Sequence, residues 1–151
     1  MKKSLLEVEA KQEMLKRIES VKPGTEKLWG LMNVNQGLNH MYMAFQISYG
    51  EIKPATKGNW ITRQMMRYFV LKTDMPTPKG KARTFDEINT VERGINPTDF
   101  DFEKRRLIET VQSFPNKPLA ERSPLLGKMS EWDWARLNYT HLDHHLKQFG
   151  A

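Results

Sequence analysis

The segment SEWDWARLNYTHLDHHLKQFG, from Ser130 to Gly150, constrains the chain most, because a helix with both of its ends is written into it. Ser130 with Asp133 three residues later forms a capping box, in which each side chain satisfies a backbone donor that the first helical turn leaves free. Gly150 stands where a C-cap glycine belongs. Within the span lie His141, His144 and His145. Residues four apart on an α-helix differ by about 40° around the axis, so His141 and His145 can present two imidazoles to one point. His144 lies about 100° from His145 but only about 60° from His141, so His141 with His144 is a second candidate pair.

Other helices read less sharply. Ser4 and Glu7 form a capping box ahead of Leu5, Leu6, Val8, Met14, Leu15 and Ile18, which return at helical spacing until Val21, Pro23 and Gly24. After a short turn at Lys27 to Gly30, Asn33 and Gln36 repeat the capping pattern, and a second helix runs from about Val34 to Tyr49, ending at Gly50. Pro54 and Gly58 separate it from a third helix that starts near Asn59 and is expected to carry Trp60, Ile61, Met65, Tyr68, Phe69 and Leu71 towards the core. From Thr73 to Asn96 the chain is rich in Pro, Gly and charge, and an irregular stretch of that length reads as a lid, a pocket wall or a mobile segment. A fourth long helix begins near Thr98 or Asp99 and shows Phe102, Leu107, Ile108, Val111 and Phe114 before Pro115 breaks it. No run of β-branched residues alternates strictly and no repeat is visible, so the fold expected is an all-α bundle of four or five helices.

A chain of 151 residues makes one domain, residues 1–151, with a core of ordinary size. It contains no cysteine. Disulfides, a nucleophilic thiol and a thiolate zinc site are therefore excluded, and any metal must be held by His, Asp or Glu. The opening MKKSLLEVEAKQEML breaks its apolar residues with charge before a signal peptide could form, and no stretch reaches the length of a membrane span, so the chain reads as soluble and cytoplasmic. The formal net charge is +6. Much of it lies between residues 53 and 83, where Lys53, Lys57, Arg63, Arg67, Lys72, Lys79, Lys81 and Arg83 face Asp74 alone. An anionic ligand could use this charge, but a solvated basic face is the commoner meaning. Without a recognition motif, basicity gives only sequence-independent attraction to nucleic acid.

A lone helical histidine is more often a surface or core residue than a ligand, and the i, i+4 pair raises the case for ligation. Leu142 follows His141 where the zincin helix has its catalytic Glu, so that reading fails. His40, in the middle of the second helix, becomes a third ligand if its helix packs beside the last, since bundles build metal sites from facing helices. Asn33 and Gln36 lie on the same stripe as His40, although capping alone accounts for both. Asp143 is two residues from both His141 and His145 and points away from their shared face, and Tyr139 meets the same objection as a catalytic group.

Two segments carry a family resemblance: LWGLMNVNQGLNHMYMAF, Leu28 to Phe45, and YTHLDHHLKQFG, Tyr139 to Gly150. Trp, Met, Gln and His about the second helix, followed by a last helix with His, two residues and a His pair, resemble the DinB/YfiT-like family of four-helix bundles. The likeness covers the ends of the chain and leaves the middle section unmatched. It implies a bundle with short extra helices and a long middle loop, in which His40, His141 and His145 bind a divalent ion, nickel or zinc. Imidazole ligands by themselves suit zinc, nickel, copper and iron alike.

Relatives in this superfamily include transferases and isomerases that use low-molecular-weight thiols, and others described as metal-dependent hydrolases. The resemblance thus implies a small-molecule substrate, a thiol among the candidates, and makes a homodimer an expectation. A three-His site leaves a coordination position open, at which water or an incoming thiol can become a nucleophile at neutral pH. The competing class is a non-catalytic metal- or anion-binding protein with structural or vestigial histidines. A fourth ligand from Asp or Glu would favour that class.

Overall fold

Capping chemistry sets most of the helix starts. In the computed structural model, which describes residues 2–80 and 84–151, five helices form: α1 (Val8–Ser20), α2 (Val34–Ser48), α3 (Trp60–Lys72), α4 (Phe100–Ser113) and α5 (Glu131–Gln148). Both side chains of the Asn33/Gln36 box and of the Ser130/Asp133 box make their bonds. Asn59 accepts from the Thr62 amide and Asp99 from the Phe102 amide, each at 2.9 Å. Such caps stabilise a helix by about 1 kcal/mol apiece.

The fold is predominantly helical. Helix α2 packs on α4 and α5, and α1 packs on the same two, so these four helices enclose one core. Leu5, Met14, Ile18, Leu38, Met41, Phe45, Leu107, Val111, Trp134, Leu142 and Leu146 are among its fully buried members. Their three- and four-residue spacings on each helix are the amphipathic pattern made physical. Trp134 meets its polar requirement by donating its indole N–H to the Ala120 carbonyl at 2.7 Å. No helix of the described residues is long and apolar enough to cross a membrane.

Four local expectations need correction. The first helix begins at Val8 with Glu7 as an uncapped N-cap, not after a Ser4/Glu7 box. The Leu5 amide instead donates to the Ala135 carbonyl of α5 at 3.3 Å, so a tertiary bond and the burial of Leu5 hold Ser4 to Glu7 in a turn ahead of the helix. Trp60, Ile61, Met65, Tyr68 and Phe69 do not face the core: they are 67, 62, 57, 60 and 42% exposed, and Leu71 alone on α3 is fully buried. Helix α3 lies mainly against α5 and a short ladder, and there its inner side carries Arg67, which bonds Asp133 at 2.6 Å and the Lys128 carbonyl at 2.5 Å. Phe102 on α4 is likewise exposed, since Leu107 and Val111 form the buried stripe. Finally, the sequence shows no strand signal for β1 (Arg122–Ser123) and β2 (Gly127–Lys128), an antiparallel pair with Arg122 opposite Lys128.

The long connection between α3 and α4 forms a wall against α2. Among its described residues, Asp86–Ile88 form a 3-10 turn. Gln36 donates to the Ile95 carbonyl at 3.0 Å and Asn35 to the Pro97 carbonyl at 2.9 Å, pinning the segment along the helix.

Burial rather than residue type should decide the effect of truncation. Leu142 is 0% exposed and Leu31 is 77% exposed. In urea unfolding, Leu142→Ala should lose about 2–5 kcal/mol and Leu31→Ala no more than about 0.5 kcal/mol. Equal losses would contradict the core described above.

Candidate metal centre

The closeness of α2 to the end of α5 decides whether His40 can meet the histidines of the last helix. Gly37 permits it. A Cβ at this position would collide with the Phe149 ring, so the absence of a side chain lets the two elements approach. A glycine inside a helix costs about 1 kcal/mol relative to alanine, and here close packing is the physical reason for it. One turn later His40 is buried, facing His141 and His145.

The three imidazoles converge. The Nε2 atoms of His40 and His141 are 3.1 Å apart, and the ligand nitrogens of His40, His141 and His145 all lie within 4.8 Å of one another. Ring centroids are separated by 5.0 Å for His40 and His141, 4.7 Å for His40 and His145, and 4.6 Å for His141 and His145. His40 and His145 are buried and His141 is partly exposed. His144 lies outside the group, with its ring 6.1 Å from that of Trp29 and 4.9 Å from that of His145.

Hydrogen bonds determine which nitrogens are free. The His40 Nδ1–H donates to the Ile88 carbonyl at 2.7 Å, since a carbonyl can only accept, and this leaves a lone pair on Nε2. His145 is set by a two-step relay. Gln148 donates through Nε2 to the Trp29 carbonyl at 2.8 Å, which turns its Oε1 to accept from His145 Nδ1 at 2.9 Å. The Nε2 lone pair of His145 is then unused. Gly30 makes room for this relay, because a Cβ there would strike the Gln148 amide. Sequence reasoning missed Gln148, although its place three residues after His145, one turn along the same face, was a usable signal.

This arrangement fits a divalent ion. Metal–imidazole bonds of about 2.0–2.1 Å in tetrahedral geometry put ligand nitrogens roughly 3.3 Å apart, and the His40 to His141 separation of 3.1 Å is of that size. Orienting bonds from the far ring nitrogen to a carbonyl or side-chain oxygen are the usual companions of histidine ligands. The converging group holds no carboxylate. Asp143 bonds Arg17 at 2.8 Å and Lys147 at 2.7 Å, while the Tyr139 hydroxyl approaches Glu13 at 3.4 Å, so neither is directed at the histidines.

A cleft of about 700 Å³ runs along the flank of α5, lined by Trp29, Lys79, Tyr139, Thr140 and His144 among others. None of the three converging imidazoles lines it. The described residues of the basic segment do not form one face. Arg67 is tied to Asp133, Lys57 reaches the Thr84 carbonyl, Lys72 lies over Trp132 and Lys79 over Trp29; Lys81 and Arg83 fall outside the described residues.

Burial, ahead of repulsion from neighbouring imidazoles, holds His141 and His145 well below the ordinary value of 6.5 and also lowers His40. Unfolded chains bind protons on these residues below about pH 6.5, whereas the native protein resists doing so. Stability of the metal-stripped protein should therefore fall as pH drops below about 6.5, and level off only below the depressed native values. Each imidazole kept neutral contributes a slope of up to about 1.4 kcal/mol per pH unit. Carboxylates such as Asp133 and Asp143, themselves lowered, titrate below the interval between about pH 7.5 and about pH 5.5. Urea midpoints at about pH 7.5 and about pH 5.5 check the effect, and an unchanged midpoint would contradict it. The relay is tested separately: Gln148→Leu should weaken zinc binding by about 10–100-fold in a competitive titration.

Neither the curated proteins nor the solved structures include a match to this chain. A family model described as "Protein of unknown function (DUF1569)" matches residues 1–151. On that match, which spans the whole sequence, the chain belongs to the DUF1569 family.

Proposed function

We propose that this chain is a cytoplasmic metal-dependent enzyme of the DinB/YfiT-like kind. Helices α1, α2, α4 and α5 make its four-helix bundle, and His40, His141 and His145 hold nickel or zinc. The observation that carries this reading is the convergence of three imidazoles, two with Nδ1 tied to oxygen so that Nε2 is free to ligate. When bound, a divalent ion supplies Lewis acidity at a coordination position that three protein ligands leave free. The chain itself offers no thiol, so in a thiol-dependent S-transfer the sulfur nucleophile comes from a small molecule. In a hydrolase, water takes that place. His40 and His145 are buried and His141 is less so.

One observation favours a second reading, a non-catalytic metal- or anion-binding protein with structural histidines. The 3.1 Å contact between His40 and His141 is also a good hydrogen bond, in which the His141 Nε2–H donates to the His40 Nε2 lone pair. Such a pair needs no metal.

The readings separate on protein purified without a histidine tag. Elemental analysis should find close to one nickel or zinc per chain, with His145→Ala losing it and His144→Ala keeping most, because only His145 shares a face with His141. Loss in both variants alike would leave the ligand assignment unsupported. Chelation should lower the thermal midpoint while the transition stays cooperative, since the core is built from apolar residues independent of the site. Turnover of acyl esters or alkylating substrates, with and without small thiols, then distinguishes hydrolase from transferase. Full metal occupancy with no turnover in either assay would favour the binding protein.

A further inference from the structure

The cleft along the flank of α5 runs beside the histidine group without touching it. Arg136, Thr140 and His144 follow one another at intervals of four residues and line the cleft, whereas His141 and His145 each come one residue later, about 100° further around the helix. Among the described residues, six cations and three carboxylates line it. The carboxylates are all engaged. Asp74 is held by Lys2 and by Arg136, the latter at 2.9 Å. Glu13 is held by Lys3 at 2.6 Å, and Asp143 by Arg17 at 2.8 Å and Lys147 at 2.7 Å. These pairs use five of the cations, and the sixth is Lys79. Its ammonium sits 4.6 Å from the centre of the Trp29 ring, and the His144 ring stands 6.1 Å from the same ring. Among the described residues, the Lys79 ammonium, the Trp29 indole N–H and the His144 imidazole contact one another only as charge on ring or ring on ring, and none of them makes a hydrogen bond.

We propose that this corner binds the anionic head, a carboxylate or a phosphate, of a small organic molecule whose apolar body lies against Met75 and Pro76 of the same cleft. Lys79, Trp29 and His144 each have an N–H to give, and an oxyanion accepts several such bonds at once. A cation over an aromatic face keeps its outer donors free for a further partner. The charge of the walls agrees. With every carboxylate engaged and one cation in excess of the pairs, an incoming anion is attracted, a cation is repelled, and a neutral molecule leaves Lys79 unanswered. Size excludes a bare ion as the intended occupant, because about 700 Å³ is the volume of a site for a whole organic molecule. Met75, 64% exposed, and Pro76 supply the apolar lining that such a body needs. The inference goes beyond the metal reading and does not rest on it, since none of the three converging imidazoles lines the cleft.

The test uses the full chain, isotope-labelled and freed of metal and then of chelator. It follows the indole N–H resonance of Trp29, assigned by its loss in Trp29→Phe, as phenyl phosphate or benzoate is added. The expected result is a saturable shift with a dissociation constant below about 1 mM for at least one probe, and the tighter of the two names the head group. Benzyl alcohol should give no saturable shift. Lys79→Gln should weaken binding by at least about tenfold and His144→Ala by at least about threefold, since each removes a donor to a charged group. Lys53→Gln makes the same change of charge outside the cleft and should alter binding by less than about twofold. Lys53 and Lys79 are both exposed, and far-UV dichroism checks that each variant is folded. Absence of a saturable shift with either probe overturns the proposal. Equal weakening by the two lysine variants does so as well, because diffuse positive charge would then be the cause. Saturation that appears only after zinc is restored places the anion on the metal and overturns the cleft as its site. Inorganic phosphate binding as tightly as the organic probes overturns the part given to Met75 and Pro76.

Discussion

A buried polar group is tolerated only when it has a partner, and α5 is a buried helix with many of them. Asp133, Arg136, Asn138, His145 and Gln148 are all buried on it. All but His145, which is held by Gln148 on the same helix, reach different parts of the chain. Asp133 takes Ser130 and Arg67 of α3, while Arg136 takes the carbonyls of Lys3 and Thr73. Asn138 pairs with Ser48 of α2 at 2.8 Å, and Gln148 holds the Trp29 carbonyl. These bonds add little net energy one by one, but leaving any of them unmade costs about 1–3 kcal/mol, so they fix where the N-terminal segment, α2, α3 and the α1–α2 connection must lie.

The histidine group is part of the same accounting. Three neutral imidazoles in a buried place need acceptors for their N–H groups, and the Ile88 carbonyl and Gln148 meet two of those needs. Meeting them turns the remaining lone pairs inward, where they face one another. The wall formed by the connection before α4 is therefore more than a cover. Through Ile88 it sets the tautomer of His40, and through Ile95 and Pro97 it is fastened to the start of the helix that bears His40.

Helix α3 shows what happens where those constraints are weak. It is bound through Arg67 and Leu71 at its inner side, and among the described residues Ile61, Met65 and Tyr68 stay more than half exposed. Apolar periodicity identified α3 as a helix but misjudged which way it faces, because the hydrophobic stripe and the side that packs are different sides. The same periodicity is reliable on α2 and α5, where the apolar stripe is also the packed side. On α1 the local pattern proposed a cap at Ser4, and a long-range bond from Leu5 to Ala135 overrode it.

The sequence by itself determined the helices, through capping pairs such as Asn33 with Gln36 and Ser130 with Asp133, whose partners are three residues apart and need nothing else to form. It also determined that His141 and His145 share a face, since helical spacing alone sets that angle. Absence of cysteine was enough to confine any ligand set to His, Asp and Glu. Only the tertiary structure decided that His40 joins them and that His144 stands aside against Trp29. It alone supplied Ile88, Gln148 and Trp29 as the groups that orient the rings. The reason is range: a cap or a shared helical face depends on neighbours within one turn, whereas the meeting of His40 with His141 joins positions 101 residues apart. That meeting exists because α2 and α5 pack closely enough at Gly37 and Phe149 to allow it.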